Sequence, residues 1–576
     1  MRLAALVILA VAVPSWTGRP CGRCDEPPGP SARDVAAGYL RRSREWGKAA
    51  CEMAKDHDCR APEAYFAACE AAWDAIYTCP EAADVFGQAA IEYAANLDGF
   101  LASAAEFGRH DPDIGVMVGP PQKRFVVPIV GRGLAVDSSA IEAVIAAPPP
   151  SDKRISRCHL RSGFGLPVSV RIRRPCGSDV ESFMPPRQSV AATAVLRFSR
   201  PPAKPRAIDA VPGPVARDPA PAILDLVNPV EARGVHVGCA WQGLAADFTA
   251  PLLDMLDAMP PQGVAGFLQA TSVAVAGGSG RPMLRFLEPY QPGKIPVVFI
   301  HGLASDEGTW FDMLNELRTR PSFHRCYQPW VLNYPTGSSF LRVSLVMRRQ
   351  LREVRDKLDP DRRDPALDRM VLVGHSMGGL HAKLQVVRPG DGLWNAVGTR
   401  PIDSVRVPDE WRRDFIEQFR FEPLPSVRRV VYIATPHGGA SLASRAAGRA
   451  ASLLVRRPPE AEAIHRQIIE ANPGLATPEF ARRVPTTIDV LEPSSPFLAV
   501  LRAITPSCGV TTHSIIGDVH ESLTSGPGDC IVPVSSARER GVASEVFVPA
   551  THTKVHHHPI AVAELSRILE EHAVGR

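Results

Sequence analysis

The sequence has no internal run of about 18 uninterrupted apolar residues, so no transmembrane helix is expected. It also lacks a strong excess of one charge. The net charge is +4, and most of the positive charge is dispersed arginine, which is typical of a solvated surface and gives no sign of nucleic-acid binding. The chain contains no internal repeat, and at 576 residues it is too long for one ordinary domain, so we expect two or three.

Zinc-binding patterns are missing from the cysteine-rich part of the chain. Cys51, Cys59, Cys69 and Cys79 lie in one helical region without a C-x-x-C pair or histidine partners, which argues against a metal site. In an exported chain these cysteines would form disulfides that staple a helical hairpin, and buried free thiols are the alternative.

The N-terminus has the pattern of a secretory signal peptide over residues 1–20. Met1-Arg2 gives a basic start, and the apolar run from Leu3 to Val13 is too short to span a bilayer. Gly18-Arg19-Pro20 before Cys21 does not match a lipoprotein box. We therefore expect export to the periplasm, the envelope or the medium without a lipid anchor.

Changes in composition predict three further segments. Residues 31–110 are rich in alanine with apolar residues at helical spacing, and residues 116–286 carry β-branched runs that indicate a small β-rich accessory module. Residues 291–576 alternate strands and helices, which predicts a mostly parallel sheet with right-handed crossovers. Long insertions at residues 388–426 and 440–506 interrupt this last segment and resemble cap or lid segments.

A G-x-S-x-G pattern stands at the centre of the third segment. The apolar run Met370 to Val373 predicts a buried strand, and it leads into Gly374-His375-Ser376-Met377-Gly378 and then a helix. A strand, a tight turn and a helix with serine at the apex form a nucleophile elbow, in which small residues let strand and helix pass closely. Ser376 is therefore the candidate nucleophile, and a solvated serine in a glycine-rich turn is the alternative.

An oxyanion hole is expected next to this serine. The predicted strand Ile295–Ile300 runs into His301-Gly302-Leu303, where backbone N–H groups can stabilise the negative charge of a tetrahedral intermediate. One donor should be Met377, which follows the nucleophile, and the other should be Leu303. We expect His301 to shape the turn.

The candidate acid lies in a glycine-rich loop after a late strand. Asp529 is followed by Cys530-Ile531-Val532-Pro533, which would anchor the loop while the carboxylate faces the site. The competing residues are Asp518, which we expect to make turn hydrogen bonds, and Asp489.

The candidate base is a histidine further along the chain. His552 follows a predicted strand, from where an imidazole can reach Ser376, and His556 is the second choice. The run His556-His557-His558 also suggests a metal site, but neighbouring histidines at a helix approach do not face one point, so we expect no metal.

The segment from about Ile295 to Arg576 resembles the lipase and esterase branch of the α/β-hydrolase family. His301-Gly302-Leu303, the pattern around Ser376, Asp529-Cys530-Ile531-Val532-Pro533 and Thr551-His552 stand in that family's order. The resemblance implies an α/β-hydrolase fold with cap insertions, preceded here by the helical segment and the β-rich module. It also implies Ser376 as nucleophile, His552 as general base and Asp529 as the orienting acid, without a cofactor.

The resemblance implies a serine hydrolase that cleaves carboxylic esters through an acyl-enzyme. The insertions carry apolar residues that would either line an acyl groove for lipids or other hydrophobic esters, or fill the core of the cap: Trp394, Phe415, Phe419, Phe421, Leu453, Leu454, Phe497, Leu498 and Leu501. A lipid substrate would bring peripheral contact with a lipid surface, and no obligate protein partner is indicated. An acyltransferase with the same triad and a non-catalytic envelope binding protein are the alternatives.

Overall fold

The computed structural model describes most of the chain, namely residues 31–111, 113–148, 155–174, 177–199, 221–237, 240–258, 282–303, 305–334, 338–440, 459–482, 487–519 and 526–575. The predicted signal peptide, residues 1–20, lies outside these ranges. Within the described ranges, no helix is both long enough and apolar enough to cross a membrane.

The N-terminal half, which we define as residues 31–258, begins with three helices. They are α1 (Ala32–Lys55), α2 (Ala61–Thr78) and α3 (Ala83–Glu106). Ser31 opens α1 with a capping box, in which its hydroxyl accepts the Asp34 N–H and the Asp34 carboxylate accepts the Ser31 N–H. All three helices fall within the segment that the sequence predicts to be helical.

Short strands and one helix make up the rest of the N-terminal half. The elements are β1 (His110–Asp111), β2 (Gly115–Val118), β3 (Phe125–Val127), β4 (Ile129–Arg132), β5 (Ile141–Ala146), β6 (Leu160–Arg161), β7 (Leu166–Ile172), β8 (Gln188–Phe198), β9 (Ala222–Val227), β10 (Gly234–Val237), β11 (Ala240–Gly243), β12 (Ala246–Asp247) and α4 (Ala250–Asp257). The largest sheet has the order β4-β9-β8-β7-β5, and all its neighbours are antiparallel except the pair β4–β9.

One hydrophobic core joins the helices to this sheet. The rings of Trp73 on α2 and Tyr93 on α3 lie 6.2 and 5.1 Å from that of Phe164, centroid to centroid. The Tyr93 hydroxyl also donates to the Leu196 carbonyl of β8 at 2.8 Å and accepts the Leu196 N–H at 2.6 Å. The helical segment and the β-rich module, which the sequence presents as separate, are therefore packed as one unit.

The predicted disulfides of the helical segment are absent from the described residues. Cys51, Cys59, Cys69 and Cys79 are all free thiols, and the alternative of buried free thiols holds for Cys69 alone. Their environments explain the difference: Cys69 is fully buried in the hydrophobic core, whereas Cys51 and Cys59 are exposed. Packing of α2 and α3 on the sheet stabilises the segment in place of a covalent link.

The catalytic half, which we define as residues 283–575, is built on a seven-stranded sheet. Its strands are β13 (Met283–Phe286), β14 (Ile295–Ile300), β15 (Tyr327–Asn333), β16 (Met370–His375), β17 (Val427–Ile433), β18 (Thr511–Gly517) and β19 (Ser544–Val548). The order is β13-β15-β14-β16-β17-β18-β19, and only β13 is antiparallel. β16, which carries the serine motif at its end, is the central strand, and all of its residues are buried.

Helices cover both faces of this sheet. They are α5 (Phe311–Leu317), α6 (Pro321–Cys326), α7 (Phe340–Leu358), α8 (Met377–Lys383), α9 (Gly392–Asn395), α10 (Asp409–Phe419), α11 (Pro459–Ala471), α12 (Pro478–Arg482), α13 (Thr487–Val490), α14 (Pro496–Ala503), α15 (Val534–Ala537) and α16 (Pro559–Ala573). The inner strands β14, β16 and β17 are buried on both faces, whereas the edge strand β19 is partly exposed.

The boundary between the halves differs from the predicted one, in which the accessory module ends at residue 286 and the next segment begins at residue 291. The sequence places Met283–Phe286 in the accessory module, but this segment is β13 and pairs with β15 of the catalytic sheet. Phe286 is fully buried, with its ring 4.8 Å from that of Trp330. A strand of four residues does not reveal its partner in the sequence, since the pairing is set by tertiary packing.

The two insertions contain short helices, α9 and α10 in the first and α11 to α14 in the second. Their described apolar residues are packed against one another: the Trp394 ring lies 5.5 Å from that of Phe415 and 5.2 Å from that of Phe419. Phe497 and Leu498 are buried in the same cluster. These residues fill a core of the inserted region, while Leu453 and Leu454 lie outside the described residues.

Candidate active site

The serine motif forms a sharp turn between β16 and α8. Ser376 has φ 54° and ψ −128°, a left-handed conformation that is rare outside glycine. Its N–H donates to the Ile433 carbonyl at 2.8 Å, which fixes the turn to the neighbouring strand. A Cβ atom at Gly378 would lie 2.1 Å from the Ile300 carbonyl oxygen, and one at Gly374 would lie 2.4 Å from the Gly379 nitrogen. The glycines are thus required by close backbone packing.

The three predicted triad residues are brought together in one hydrogen-bonded chain. His552 Nε2 lies 2.9 Å from Ser376 Oγ, and His552 Nδ1 lies 2.7 Å from Asp529 Oδ2. Ser376 and His552 are each 7% exposed and Asp529 is 1% exposed. In this geometry Nδ1 donates to the carboxylate, which leaves Nε2 free to accept the serine proton.

Backbone contacts fix the acid and the base relative to each other. Asp529 Oδ1 accepts the N–H groups of Ile531 at 3.0 Å and Val532 at 2.7 Å, so Oδ2 remains for the imidazole. The His552 N–H donates to the Asp529 carbonyl at 2.9 Å. Asp529, and neither Asp518 nor Asp489, therefore holds the His552 ring.

The His301-Gly302-Leu303 segment lies directly against the nucleophile. A Cβ atom at Gly302 would approach Ser376 Cβ to 2.8 Å, so only glycine fits without movement. Met377 is the first residue of α8 and is buried, and Leu303 is half-buried. The role of the Leu303 and Met377 N–H groups as oxyanion donors stays a prediction, which the approach of Gly302 to Ser376 supports.

His301 has the turn-shaping role that the sequence predicts. Its ring stacks on Tyr334 at 4.2 Å, and the Tyr334 hydroxyl donates to the His301 carbonyl at 2.6 Å. Burial lowers the pKa of His301 to about 4, so the ring is neutral at physiological pH.

The three histidines after the base each have a different environment. His556 is buried, with its ring 4.4 Å from that of His375. His557 Nδ1 lies 2.9 Å from an Asp312 carboxylate oxygen, and His558 Nδ1 accepts the Ile560 N–H at the start of α16. The run does not converge on one point.

His375 is a site residue that sequence reasoning treats as a variable position of the motif. Its Nε2–H donates to the His552 carbonyl at 3.0 Å, and its ring lies 5.0 Å from that of His552. Burial, together with the nearby His552, lowers its pKa to about 3, so it acts as a neutral donor. The sequence already shows a histidine directly before Ser376, and this position could have pointed to its role in the site.

A buried ionic cluster behind the elbow was also missed. Glu539 lies 2.9 Å from Lys383 Nζ at the end of α8 and 2.9 Å from His437 Nδ1 after β17. Burial alone would raise the pKa of Glu539, but His437 and Lys383 outweigh it and lower the pKa to about 2. The cluster ties the end of α8 to the loops that carry His437 and Glu539, and no local pattern in the sequence joins its members.

Comparisons with known proteins agree with this architecture. Residues 297–565 match the profile of the family described as "Alpha/beta hydrolase family". No curated protein matches the chain. The predicted α/β-hydrolase fold class is confirmed by the family match together with the mostly parallel sheet.

Several solved structures are similar to about half of this chain. The lipase BlEst2 of Bacillus licheniformis in its propeptide form is 16% identical, with a TM-score of 0.31, and the match covers 51% of this chain but only 54% of that one. The mature form is 16% identical with a TM-score of 0.30, and 51% and 99% of the two chains are covered. Phospholipase PlaB from Legionella pneumophila is 14% identical with a TM-score of 0.30, and 48% and 63% are covered. The match to the alpha/beta hydrolase family thus covers residues 297–565, which all lie within the catalytic half.

Proposed function

We propose that the protein hydrolyses carboxylic esters, with Ser376 as nucleophile, His552 as general base and Asp529 as the acid that orients the imidazole. The observation that carries the proposal is the buried hydrogen-bonded chain from Ser376 Oγ through His552 to Asp529 Oδ2. A serine hydroxyl is a weak nucleophile unless a base removes its proton as it attacks.

The reaction follows from this geometry in two steps. His552 Nε2 takes the proton of Ser376 as the oxygen attacks the ester carbonyl, and the N–H groups of Leu303 and Met377 stabilise the oxyanion. The protonated His552 then gives its proton to the leaving alcohol, and the acyl-enzyme remains. Water, deprotonated by His552, attacks the acyl carbon and releases the carboxylic acid together with free Ser376.

Hydrophobic acyl groups are the substrate class that we propose. Met377 and Leu303, on either side of the nucleophile, belong to an apolar cluster that continues into the inserted helices through Trp394 and Phe497. An acyl chain on the serine would therefore meet the half-buried Leu303 at the edge of this cluster. We propose export of the enzyme as well, on the basis of its N-terminal sequence.

The test is hydrolysis of p-nitrophenyl esters from acetyl to palmitoyl by the wild type and by Ser376→Ala. We expect turnover only with Ser376, and an optimum at longer acyl chains. Ser404→Ala is the matched control, because Ser404 is exposed in the first insertion and bonds only locally to Pro401. Turnover that persists in Ser376→Ala would refute the mechanism, and an acetyl optimum would refute the substrate class.

Labelling with a fluorophosphonate probe separates the possible causes of inactivity. A wild-type protein that is labelled at Ser376 but cleaves no ester has a working nucleophile and a different substrate or acceptor. A wild-type protein that is neither labelled nor active would refute the proposed function.

A further inference from the structure

The N-terminal half contacts the catalytic half along α5. The backbone N–H and the hydroxyl of Ser156 both donate to the carboxylate of Asp312, at 2.8 and 2.6 Å. The Asn315 amide donates to the Arg157 carbonyl at 2.7 Å. Ile155 is buried in a small cluster with Phe311, so the polar contacts lie beside an apolar one. The segment from residue 155 to 159 is thus fitted to one face of α5.

Asp312 has a second partner on the side of the active site. Its carboxylate lies 2.9 Å from Nδ1 of His557, and its side chain is only 12% exposed. Burial would raise the pKa of Asp312, but hydrogen bonds from His557 and Ser156 outweigh it and hold the pKa below its ordinary value. The ionised carboxylate therefore bridges the N-terminal half and His557.

His557 ends the short 3₁₀ turn that begins with the proposed base. This turn spans His552–His557. Its first residue is fixed by hydrogen bonds to Asp529 and from His375, as described above. Its far end is fixed by the His557–Asp312 pair and by His556, whose ring lies 5.6 Å from that of Trp310, directly before α5. The position of the His552 turn thus depends on how α5 is held.

We propose that Asp312 is a positioning residue through which the N-terminal half holds the turn of the base His552. On this view the N-terminal half is part of the machinery for ester hydrolysis and is not only a separate binding module. The inference rests on the proposed function for its effect on turnover. A turn held at both ends keeps the imidazole within the narrow range of positions in which it can take the Ser376 proton.

The test compares Asp312→Asn with Glu316→Gln in the full chain. Glu316 is the matched control, because it lies one turn further along α5 and contacts the same segment through His159 at 3.1 Å and Arg157 at 3.2 Å. We expect Asp312→Asn to lower kcat on the order of tenfold, since a misplacement of about 1 Å can cost about a hundredfold. KM should not change, and Glu316→Gln should stay within about twofold of the wild type. Each rate is divided by the concentration of protein that the fluorophosphonate probe labels, so that a loss of folded protein is not read as a loss of kcat.

A second readout does not depend on turnover. Amide hydrogen exchange of the peptide that covers residues 551–558 should become faster in Asp312→Asn and not in Glu316→Gln. If the wild type shows no Ser376-dependent hydrolysis, the proposed function fails, and the exchange comparison alone still decides on the coupling. Equal kcat and equal exchange in the two variants would overturn the inference.

His557 offers an independent pair of variants, should Asp312→Asn fail to fold. His557→Asn keeps a side-chain donor close to the position of Nδ1, whereas His557→Ala removes it. We expect a loss of kcat and faster exchange in His557→Ala, with both restored in His557→Asn. If both variants behave alike, Asp312 does not act through this bond and the proposal is overturned.

Discussion

The two halves of the molecule have cores of different chemistry. The N-terminal half is packed with alanine, aliphatic and aromatic side chains, and its few buried polar groups include Tyr93, which bonds to the Leu196 backbone, and Asp225, which pairs with Arg132 and Arg197. Among the described residues, the buried histidines all lie in the catalytic half: His301, His375, His381, His437, His513, His552, His556 and His572. The comparison teaches that the two halves differ in buried histidine: the catalytic half holds several in its interior, and two of them, His375 and His552, lie beside Ser376.

The largest expected effect comes from removing His552, the proposed base in the catalytic half. His552→Ala should lower kcat by about 10⁴- to 10⁶-fold, and Asp529→Asn by about 10⁴-fold, because the serine then loses its proton acceptor or that acceptor its orientation. His558→Ala is the control from the same loop, since His558 only caps α16. Ester hydrolysis by correctly folded protein is the measurement. A dead His556→Ala beside an active His552→Ala would move the role of base to His556.

Acid should destabilise the catalytic half before the N-terminal half. Burial lowers the pKa values of His375 and His381 to about 3, whereas the unfolded chain takes up these protons near the ordinary value of 6.5. The stability that these two neutral histidines contribute is therefore fully present above pH 6.5 and is lost as the pH falls towards 3. Each of the two residues should cost about 2 kcal/mol by about pH 5.

Denaturant unfolding at neutral and acidic pH, followed by limited proteolysis and mass spectrometry, locates this loss. Peptides from the catalytic half should become susceptible first. His381→Gln should reduce the pH dependence by about one proton. A pH dependence that is equal in the two halves would contradict the comparison.

The smallest expected effect lies in the core of the N-terminal half. Tyr93→Phe removes the hydroxyl that bonds both polar backbone groups of Leu196, and we expect a loss of about 1–3 kcal/mol in the free energy of unfolding. Turnover per active site should not change. Tyr77→Phe serves as the control, because Tyr77 is 47% exposed on α2. Changed turnover in folded Tyr93→Phe would show that this core also tunes the site.

Sequence reasoning predicts much of the catalytic half because its signals are local. The strand β14 has the predicted bounds, and the candidate triad residues each follow a strand of the sheet. Parallel strands bring such ends to one edge of the sheet. His552 could be preferred over His556 on the same ground. The preference for Asp529 over Asp518 rests instead on the segment Cys530-Ile531-Val532-Pro533, which anchors the loop of Asp529.

The rest depends on partners that are distant in the chain. Asp312 and His557 are separated by most of the catalytic half, and no sequence pattern joins the two residues. The edge strand β13 is too short to show its pairing, and the cysteines of the helical segment suggested disulfides that the packed core makes unnecessary. Each of these features depends on tertiary packing, which cannot be read from a pattern of neighbouring residues.

The left-handed conformation of Ser376 lowers the stability of the fold at the position that the proposed activity requires. A non-glycine residue held at φ 54° costs roughly 1–3 kcal/mol, of which glycine would recover a part. A lineage selected only to resist heat or proteolysis would gain by exchanging this serine for glycine, and would give up its nucleophile in doing so. The chain keeps serine, which is less stable than glycine in this conformation, at the position of the proposed nucleophile.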